Sequence, residues 1–489
     1  MEGRWVRVVV VSVLLGTACT SGDSTPGSAT ATNAARTSSG ITESTPTAST
    51  SPTGQPTSQP PPPTTSTEPP GATEPLVLAV HLSRGALDIS ELLARRLVGG
   101  GQVSWSELDG GRGRVDVRRG ASALTRVQTR PGVVAVVPGS EITPLVRAVL
   151  VDGADPLREP ERYPLQTPAV EEVPAVVELT VSGDIMLGRG VAPDPGAADP
   201  APSLRPLQRR LARADITVGN LESTLSNAGV PRQGDDSFAA DPAVVARLAD
   251  AGFDVLSLAN NHTGDYGDAA LRQTLRELRD SPIESVGAGE DARRAWRPVL
   301  VERSGVRFGF VAFNAIGETP IAGPGQPGAA SVRMQPRTGP LNQGDLRRLR
   351  RTVDALTDRV DVVIVLPHWG DQYTNQPVPA QRRVGRAILR SGADLVVGGH
   401  PHWVQGVQVH DDRLVVHSLG NFIFDMDFSR QTQEGVLLDL VFWGDELRAA
   451  TFAPYVIGPD FAPRPVRGER AEAILGLLAA ASDPPFSGL

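Results

Sequence analysis

Five short polar motifs hold most of the residues in this chain that can do chemistry. They are Ser182-Gly-Asp184-Ile-Met-Leu-Gly-Arg189, Gly219-Asn220-Leu-Glu222, Ala259-Asn260-Asn261-His262, Pro367-His368-Trp369-Gly370 and Gly398-Gly-His400-Pro-His402. Four of the seven histidines, His262, His368, His400 and His402, fall within them. Carboxylate, amide and imidazole donors together suit Zn, Mn or Fe, and two such ions a few ångströms apart are a common engine of metal-assisted hydrolysis. A centre of one or two divalent ions is therefore the chemistry these residues point to. Singly, each residue has an ordinary reading as well: a strand-end Asp or Asn caps a turn, and a lone His is a satisfied core residue. Only their convergence argues for a site.

Convergence requires a scaffold, and each motif follows an apolar run of strand length. Strands are expected over 177–181, 216–219, 255–258, 308–313, 362–366, 395–397 and 414–417, and helices over 243–251, 268–279, 345–356 and 381–390. This alternation is the α/β pattern, in which loops at the carboxyl ends of strands aim side chains into one crevice. An extended His400-Pro-His402 would set both imidazoles on one side of the chain.

The rest of the sequence bounds the surroundings. A length of 489 residues exceeds the usual single domain. A formal charge of −8 argues against a nucleic-acid binder, and the use of Arg for all 47 basic residues reads as coding bias. With Cys19 the only cysteine, an intramolecular disulfide and a Cys-rich metal site are both excluded. Arg4 and Arg7 precede an apolar run over 8–15, then small residues lead into Cys19. That pattern reads as an export signal over 1–19, with an unprocessed start as the remaining alternative, and the apolar run is too short to span a bilayer. It resembles a bacterial lipoprotein signal, except that Gly16 stands where Leu is usual; lipidation of Cys19 is the first reading and plain secretion after Ala18 the alternative. Either way the protein is expected outside the cytoplasm, lipid-anchored to the membrane or secreted. Residues 20–75 are so rich in Ser, Thr and Pro that a disordered tether is expected. A small α/β domain over 76–170 follows, then the motif-bearing domain over 177–460 and a tail over 461–489. Residues 146–157 with 163–165 faintly resemble the closing segment of one lobe of phosphate-type periplasmic binding proteins; spacer and ligand binder both stay open for 76–170.

The five motifs, with His417-Ser-Leu-Gly-Asn-Phe422 after them in this order, resemble the CapA family of poly-γ-glutamate capsule-synthesis proteins over roughly residues 177–430. The resemblance implies kinship with calcineurin-like metallophosphatases and their two-sheet sandwich flanked by helices (α/β/β/α). It implies metal-ligand roles for Asp184, for Glu222 as a bridging carboxylate, and for Asn261, His368, His400 and His402. By the same resemblance His262 would be the general acid or a stabiliser of substrate charge; Arg189, read from its own chemistry, is a two-point clamp for an anionic substrate or a surface Arg without special duty. The expected partners are an acidic polymer such as poly-γ-glutamate and membrane-bound capsule synthase components. One departure stands out, since the superfamily's Asp-x-His opening has Met186 in place of His. The role expected is thus capsule-polymer biosynthesis, with a metal-dependent phosphoesterase or γ-glutamyl hydrolase and a noncatalytic surface scaffold as alternatives. Arginine clusters at 347–351 and 382–383 are polymer contacts or solvated helix faces.

Overall fold

The computed structural model describes residues 71–489 apart from 121, 195 and 196. The expected export signal, Cys19 and most of the expected tether lie outside the described residues. The first strand, β1 (Thr73–Val80), begins inside the segment assigned to the tether. With β2 (Asp116–Arg119), β3 (Val133–Pro138), β4 (Arg147–Ala148) and β5 (Gln166–Pro168) it forms a sheet of order β2-β3-β1-β4, with β5 extending β1. Helices α1 (Glu91–Val98) and α2 (Ala123–Thr129) belong to this part.

The motif-bearing region then runs through β6 (Val176–Ile185), β7 (Ile216–Leu221), α3 (Val244–Asp250), β8 (Val255–Ser257), α4 (Asp268–Arg279) and β9 (Glu284–Val286). It continues through β10 (Val299–Arg303), β11 (Val306–Asn314), α5 (Gln343–Thr357), β12 (Val362–His368), α6 (Pro379–Leu389) and β13 (Leu395–Val397). It closes with β14 (Val407–His410), β15 (Arg413–Val416), β16 (Asn421–Ile423), β17 (Glu434–Trp443), β18 (Glu446–Ile457), β19 (Pro463–Pro465) and α7 (Glu469–Ala480).

Two large sheets result, of order β9-β8-β7-β6-β17-β18-β19, with β16 beside β6, and β10-β11-β12-β13-β15-β14. The strands that carry motifs pair in parallel: β6 with β7, β7 with β8, β11 with β12 and β12 with β13. Alternation of side chains assigns the layers. On β11 and β12, Phe308, Phe310, Ala312, Val362, Ile364 and Leu366 face inward and meet Val177, Leu179, Val181, Ile216 and Val218 of the β6-containing sheet. The intervening Val311, Phe313, Val363 and Val365 face outward and are covered by Leu349 and Val353 of α5 and Val384 and Ile388 of α6. On the other side Val244 and Leu248 of α3 and Leu271, Leu275 and Leu278 of α4 cover the β6-containing sheet. The architecture is a two-sheet sandwich flanked by helices, as the motif order implies.

Helix ends follow local chemistry. The Asn342 side chain accepts from the amides of Gly344 and Asp345 to start α5, and Pro379 opens α6 where its missing N–H costs nothing.

The region over 461–489 is not a loose tail. Ile474, Leu478 and Phe486 are fully buried in the layer between the sheets, and the Asp483 amide donates to the Val407 carbonyl at 2.8 Å. Apolar side chains there have a partner surface only once both sheets exist, so local pattern does not reveal their burial. The β1-containing sheet joins the rest through Trp443, which packs with Val77, Ala135 and Val137 and donates its indole N–H to the Leu157 carbonyl at 2.7 Å.

Candidate metal centre

Every motif reaches one region at the carboxyl ends of β6, β7, β8, β12 and β13. Asp184 is the penultimate residue of β6, where a register irregularity between Val181 and Asp184 re-aims the strand. Gly183 is obligatory at that bend, because a Cβ there would stand 2.0 Å from the Gly420 carbonyl oxygen. Glu222 directly follows β7, and His368 ends β12. His400 and His402 sit just beyond β13 with φ of 96° and 58°. The His-Pro-His segment is therefore not extended; each imidazole is turned by a left-handed backbone that non-glycine residues rarely adopt. Two contacts enforce the turn: the His400 amide donates to Asp184 Oδ2 at 3.0 Å, and Gly399 leaves Asp184 room, since a Cβ there would lie 2.4 Å from Oδ1.

All the expected ligands are buried: Asp184, Glu222, His400 and His402 are wholly inaccessible, His368 and Asn261 nearly so. Ligand atoms of Asp184, Glu222 and His368 lie within 4.8 Å of one another, as do those of Glu222, His400 and His402. Glu222 is common to both sets, the position a bridging carboxylate requires. His368 Nε2 lies 2.9 Å from Asn261 Oδ1 and 3.6 Å from Glu222 Oε1, so an amide oxygen joins the cluster.

Neighbouring amides orient these groups. Asn421 donates Nδ2 to the Thr432 carbonyl at 3.0 Å, which turns its Oδ1 toward His402 Nδ1 at 2.8 Å. That nitrogen must carry the proton, leaving the Nε2 lone pair for a ligand. Asn220 donates to Asp184 Oδ1 at 2.8 Å and accepts from Asn260 at 3.1 Å. Asn260 also accepts from the His262 amide at 3.1 Å, so it shapes the loop rather than facing the centre.

The residues fit a cation on a direct observation. Both Glu222 oxygens, both His400 ring nitrogens and His402 Nε2 are buried without any hydrogen-bond partner among the described residues. A buried carboxylate with no partner costs several kcal/mol, a cost that a cation removes. The donors are hard oxygens and borderline imidazoles, the set that suits Mn, Zn or Fe.

His262 stands beside this cluster. Its Nδ1 lies 2.8 Å from Asp265 Oδ2, its ring stacks on Phe238 at 3.8 Å, and its Nε2 lies 3.8 Å from Glu222 Oε1. Asp265, which also accepts from the Phe238 amide at 2.7 Å, fixes the proton on Nδ1 and turns Nε2 toward the centre. Arg189 is not in the cluster. It forms a two-point ion pair with Asp425 and lies 4.3 Å over the Phe238 ring, one ring away from His262. Met186 offers no ligand: it is fully buried in the outer apolar layer, where its sulfur accepts from the Gly188 amide at 3.1 Å. Trp369 is a core aromatic, donating to the His417 carbonyl at 3.1 Å.

Two residues without a sequence expectation join the site. Asp265 is one; its signal is the i, i+3 spacing from His262 in Asn-Asn-His-Thr-Gly-Asp. Tyr373 is the other, held at φ 59° with its amide bonded to the Pro401 carbonyl at 2.9 Å. Its half-exposed ring stacks on His402 at 6.0 Å and meets exposed Phe428 edge-on at 5.3 Å, forming an aromatic rim.

The comparisons with known proteins concern the same stretch. The profile of the family described as "Bacterial capsule synthesis protein PGA_cap" matches residues 178–426. "Capsule biosynthesis protein CapA" of Bacillus anthracis is 31% identical over 265 residues, 53% of this chain and 62% of that protein. The match therefore spans less than two thirds of that relative. "PGA biosynthesis protein CapA" of Bacillus subtilis (strain 168) is 30% identical over 268 residues, 54% of this chain and 67% of that protein. Among solved structures, a hypothetical protein from Thermus thermophilus aligns with 57% of this chain and 99% of its own at 17% identity and a TM-score of 0.37.

Burial sets the electrostatics. It pushes the Asp184 carboxyl up to about 6 and that of Glu222 well above the usual range, the Asp184 and Asp265 charges adding to the second shift. It lowers His402 to about 4, and His368 and His400 well below their ordinary value. Both directions favour neutral groups. Because the folded pKa of Asp184 lies above its unfolded value, its contribution to stability is full at low pH and is lost as pH rises through about 6. A cation binds the ionised carboxylates and neutral imidazoles, so its stabilisation has the opposite slope. Calorimetry with and without Mn or Zn should show little gain in Tm near pH 5 and a gain that grows as pH rises through about 6. An equal gain at both ends would mean that metal binds elsewhere.

Proposed function

Because the chain belongs to the bacterial capsule synthesis protein family PGA_cap, we propose that it processes an acidic capsule polymer of the poly-γ-glutamate kind outside the cytoplasmic membrane, through a divalent metal centre. The observation that carries this reading is the set of unpartnered ligand atoms on Glu222, His400 and His402, buried at one point. Asp184, Glu222, Asn261, His368, His400 and His402 would hold one or two ions of Mn, Zn or Fe. When bound, such an ion supplies Lewis acidity toward a carbonyl or phosphoryl oxygen.

The remaining residues favour hydrolysis over simple binding. A polymer-holding protein has no use for a proton donor, yet the Asp265–His262 pair presents Nε2 of His262 at the edge of the ligand set. In this reading His262 acts as an imidazolium, with Nδ1–H on Asp265, and gives its Nε2 proton to the leaving nitrogen of a γ-glutamyl amide, or the leaving oxygen of a phosphoester, as water adds to the carbonyl carbon or phosphorus and the C–N or P–O bond breaks. Asp265 positions the ring. Arg189, exposed and paired with Asp425, gives the rim a fixed guanidinium for an anionic group. Tyr373 and Phe428 bound the entrance. The lipid anchor at Cys19 and a membrane-bound capsule synthase as partner complete the proposal.

Metal analysis coupled to a hydrolysis screen on poly-γ-glutamate and phosphoesters tests it. The purified full chain should contain about one or two equivalents of transition metal, and His400→Ala with His402→Ala should lose them. His262→Asn should keep the metal while turnover falls by about 10²–10⁴-fold. Retained metal with no turnover in the unsubstituted protein would reduce the role to binding, and metal-free protein that still supports capsule formation would remove the centre from it. The anchor has its own check: mass spectrometry of the membrane fraction should find an acylated Cys19, and an unmodified thiol there would remove it.

A further inference from the structure

Away from the centre, α5 and α6 together build a groove of about 370 Å³ lined by Arg347, Arg350, Arg351, Asp354, Arg390 and Ser391. The α5 residues fall at i, i+3, i+4 and i+7, one stripe of the helix, and Arg390 follows the end of α6. Arg347 repels Arg350 and Arg351 at these spacings, whereas Asp354 lies three and four residues beyond Arg351 and Arg350, where opposite charge favours the helix. Two of the guanidiniums are held in place through Nε: Arg350 Nε donates to Ser391 Oγ at 3.1 Å, and Arg390 Nε to His410 Nε2 at 3.3 Å, a nitrogen that also lies 3.4 Å from Asp411 Oδ2. These bonds use one nitrogen each and leave the terminal nitrogens free to meet an anion. Among the described residues, Asp354 is the only acid lining the groove.

The contrast with neighbouring arginines is informative. On the first turn of the same helix, Asp345 pairs with Arg333 at 2.8 Å, and at the foot of β12 Asp361 pairs with Arg307 at 2.7 Å. Among the described residues, no carboxylate forms an ion pair with Arg347, Arg350, Arg351 or Arg390. Exposed Arg383 and Arg386 on α6 fall in one stripe with Arg390 and extend the positive face. All this belongs to a protein of formal charge −8, so the positive field is local.

We propose that this groove is a docking site for a linear polycarboxylate, which it grips at several side chains along the polymer. A guanidinium fork matches a carboxylate at two points, and arginines one helical turn apart suit carboxylates repeated along a chain. No aromatic side chain lines the groove, so it lacks the stacking platform that single-stranded nucleic acids use. The identity of the occupant rests on the reading of the polymer as acidic; the groove itself does not depend on the metal centre. It would hold the polymer while the centre at the strand ends acts on it.

Binding of the full-length protein to poly-γ-glutamate of defined length, at low and physiological salt, tests this. The variant Arg350→Glu, Arg351→Glu, Arg390→Glu should lose about tenfold or more in affinity at low salt. Its circular dichroism and metal content should stay unchanged. Unchanged affinity in the arginine variant would overturn the groove while leaving the metal-centre reading intact. Tighter binding of the unsubstituted protein to inorganic polyphosphate or to DNA would overturn the polycarboxylate assignment. Absence of polyglutamate binding would overturn it too, with the centre then judged by its metal and hydrolysis results alone.

Discussion

The structure turns on one carboxylate. Glu222 is wholly buried, has no hydrogen-bond partner for either oxygen, and faces the carboxylate of Asp184 and the imidazoles of His262 and His368. A polar group in that position is destabilising unless something compensates it, and nothing in the surrounding shell donates to it. A cation meets that demand and relieves the repulsion with Asp184 at the same time. The shifts of both acids upward and of the imidazoles downward are the protein-only expression of the same need.

The scaffold is committed to this arrangement at positions far apart in sequence. Gly183 lets β6 pass close to Gly420, the bend delivers Asp184, and Asp184 in turn accepts the amide that turns His400. Asn220 and Asn421 then hold the acid and the imidazole in fixed orientations. Asp184, Asn220 and His400 sit at or just beyond the ends of strands whose inward side chains form the common apolar layer, so the precision of the site derives from the rigidity of the sandwich. At the rim, Tyr373 is held in a left-handed conformation, a strain that persists only where the surroundings impose it.

Much of this was legible in the sequence because the informative signals are local. Strands 308–313 and 362–366 show as apolar runs, and helix 268–279 coincides with the observed element because its apolar positions repeat at helical spacing. Convergence of the motifs followed from the rule that α/β folds gather ligands at strand ends. What escaped depends on tertiary contact. The helix Glu469–Ala480 reads as a tail because its partner surface is built from strands over a hundred residues earlier in part. His400 and His402 read as extended because their positive φ arises in the folded chain, where the His400 amide meets Asp184. Met186 reads as a damaged ligand position; in the folded chain it is an apolar residue of the outer layer. The arginines of α5 and α6 were visible singly, but only the packing of the two helices sets them around one groove.

The central claim is that buried imidazole and carboxylate groups, and no sulfur, hold a divalent ion. X-ray absorption spectroscopy on the full-length protein loaded with Mn or Zn addresses it most directly. Expected is a first shell of nitrogen and oxygen atoms at about 2.0–2.2 Å with the outer-shell scattering of at least two imidazole rings. A sulfur scatterer at about 2.3 Å, or an oxygen-only shell without imidazole features, would contradict it.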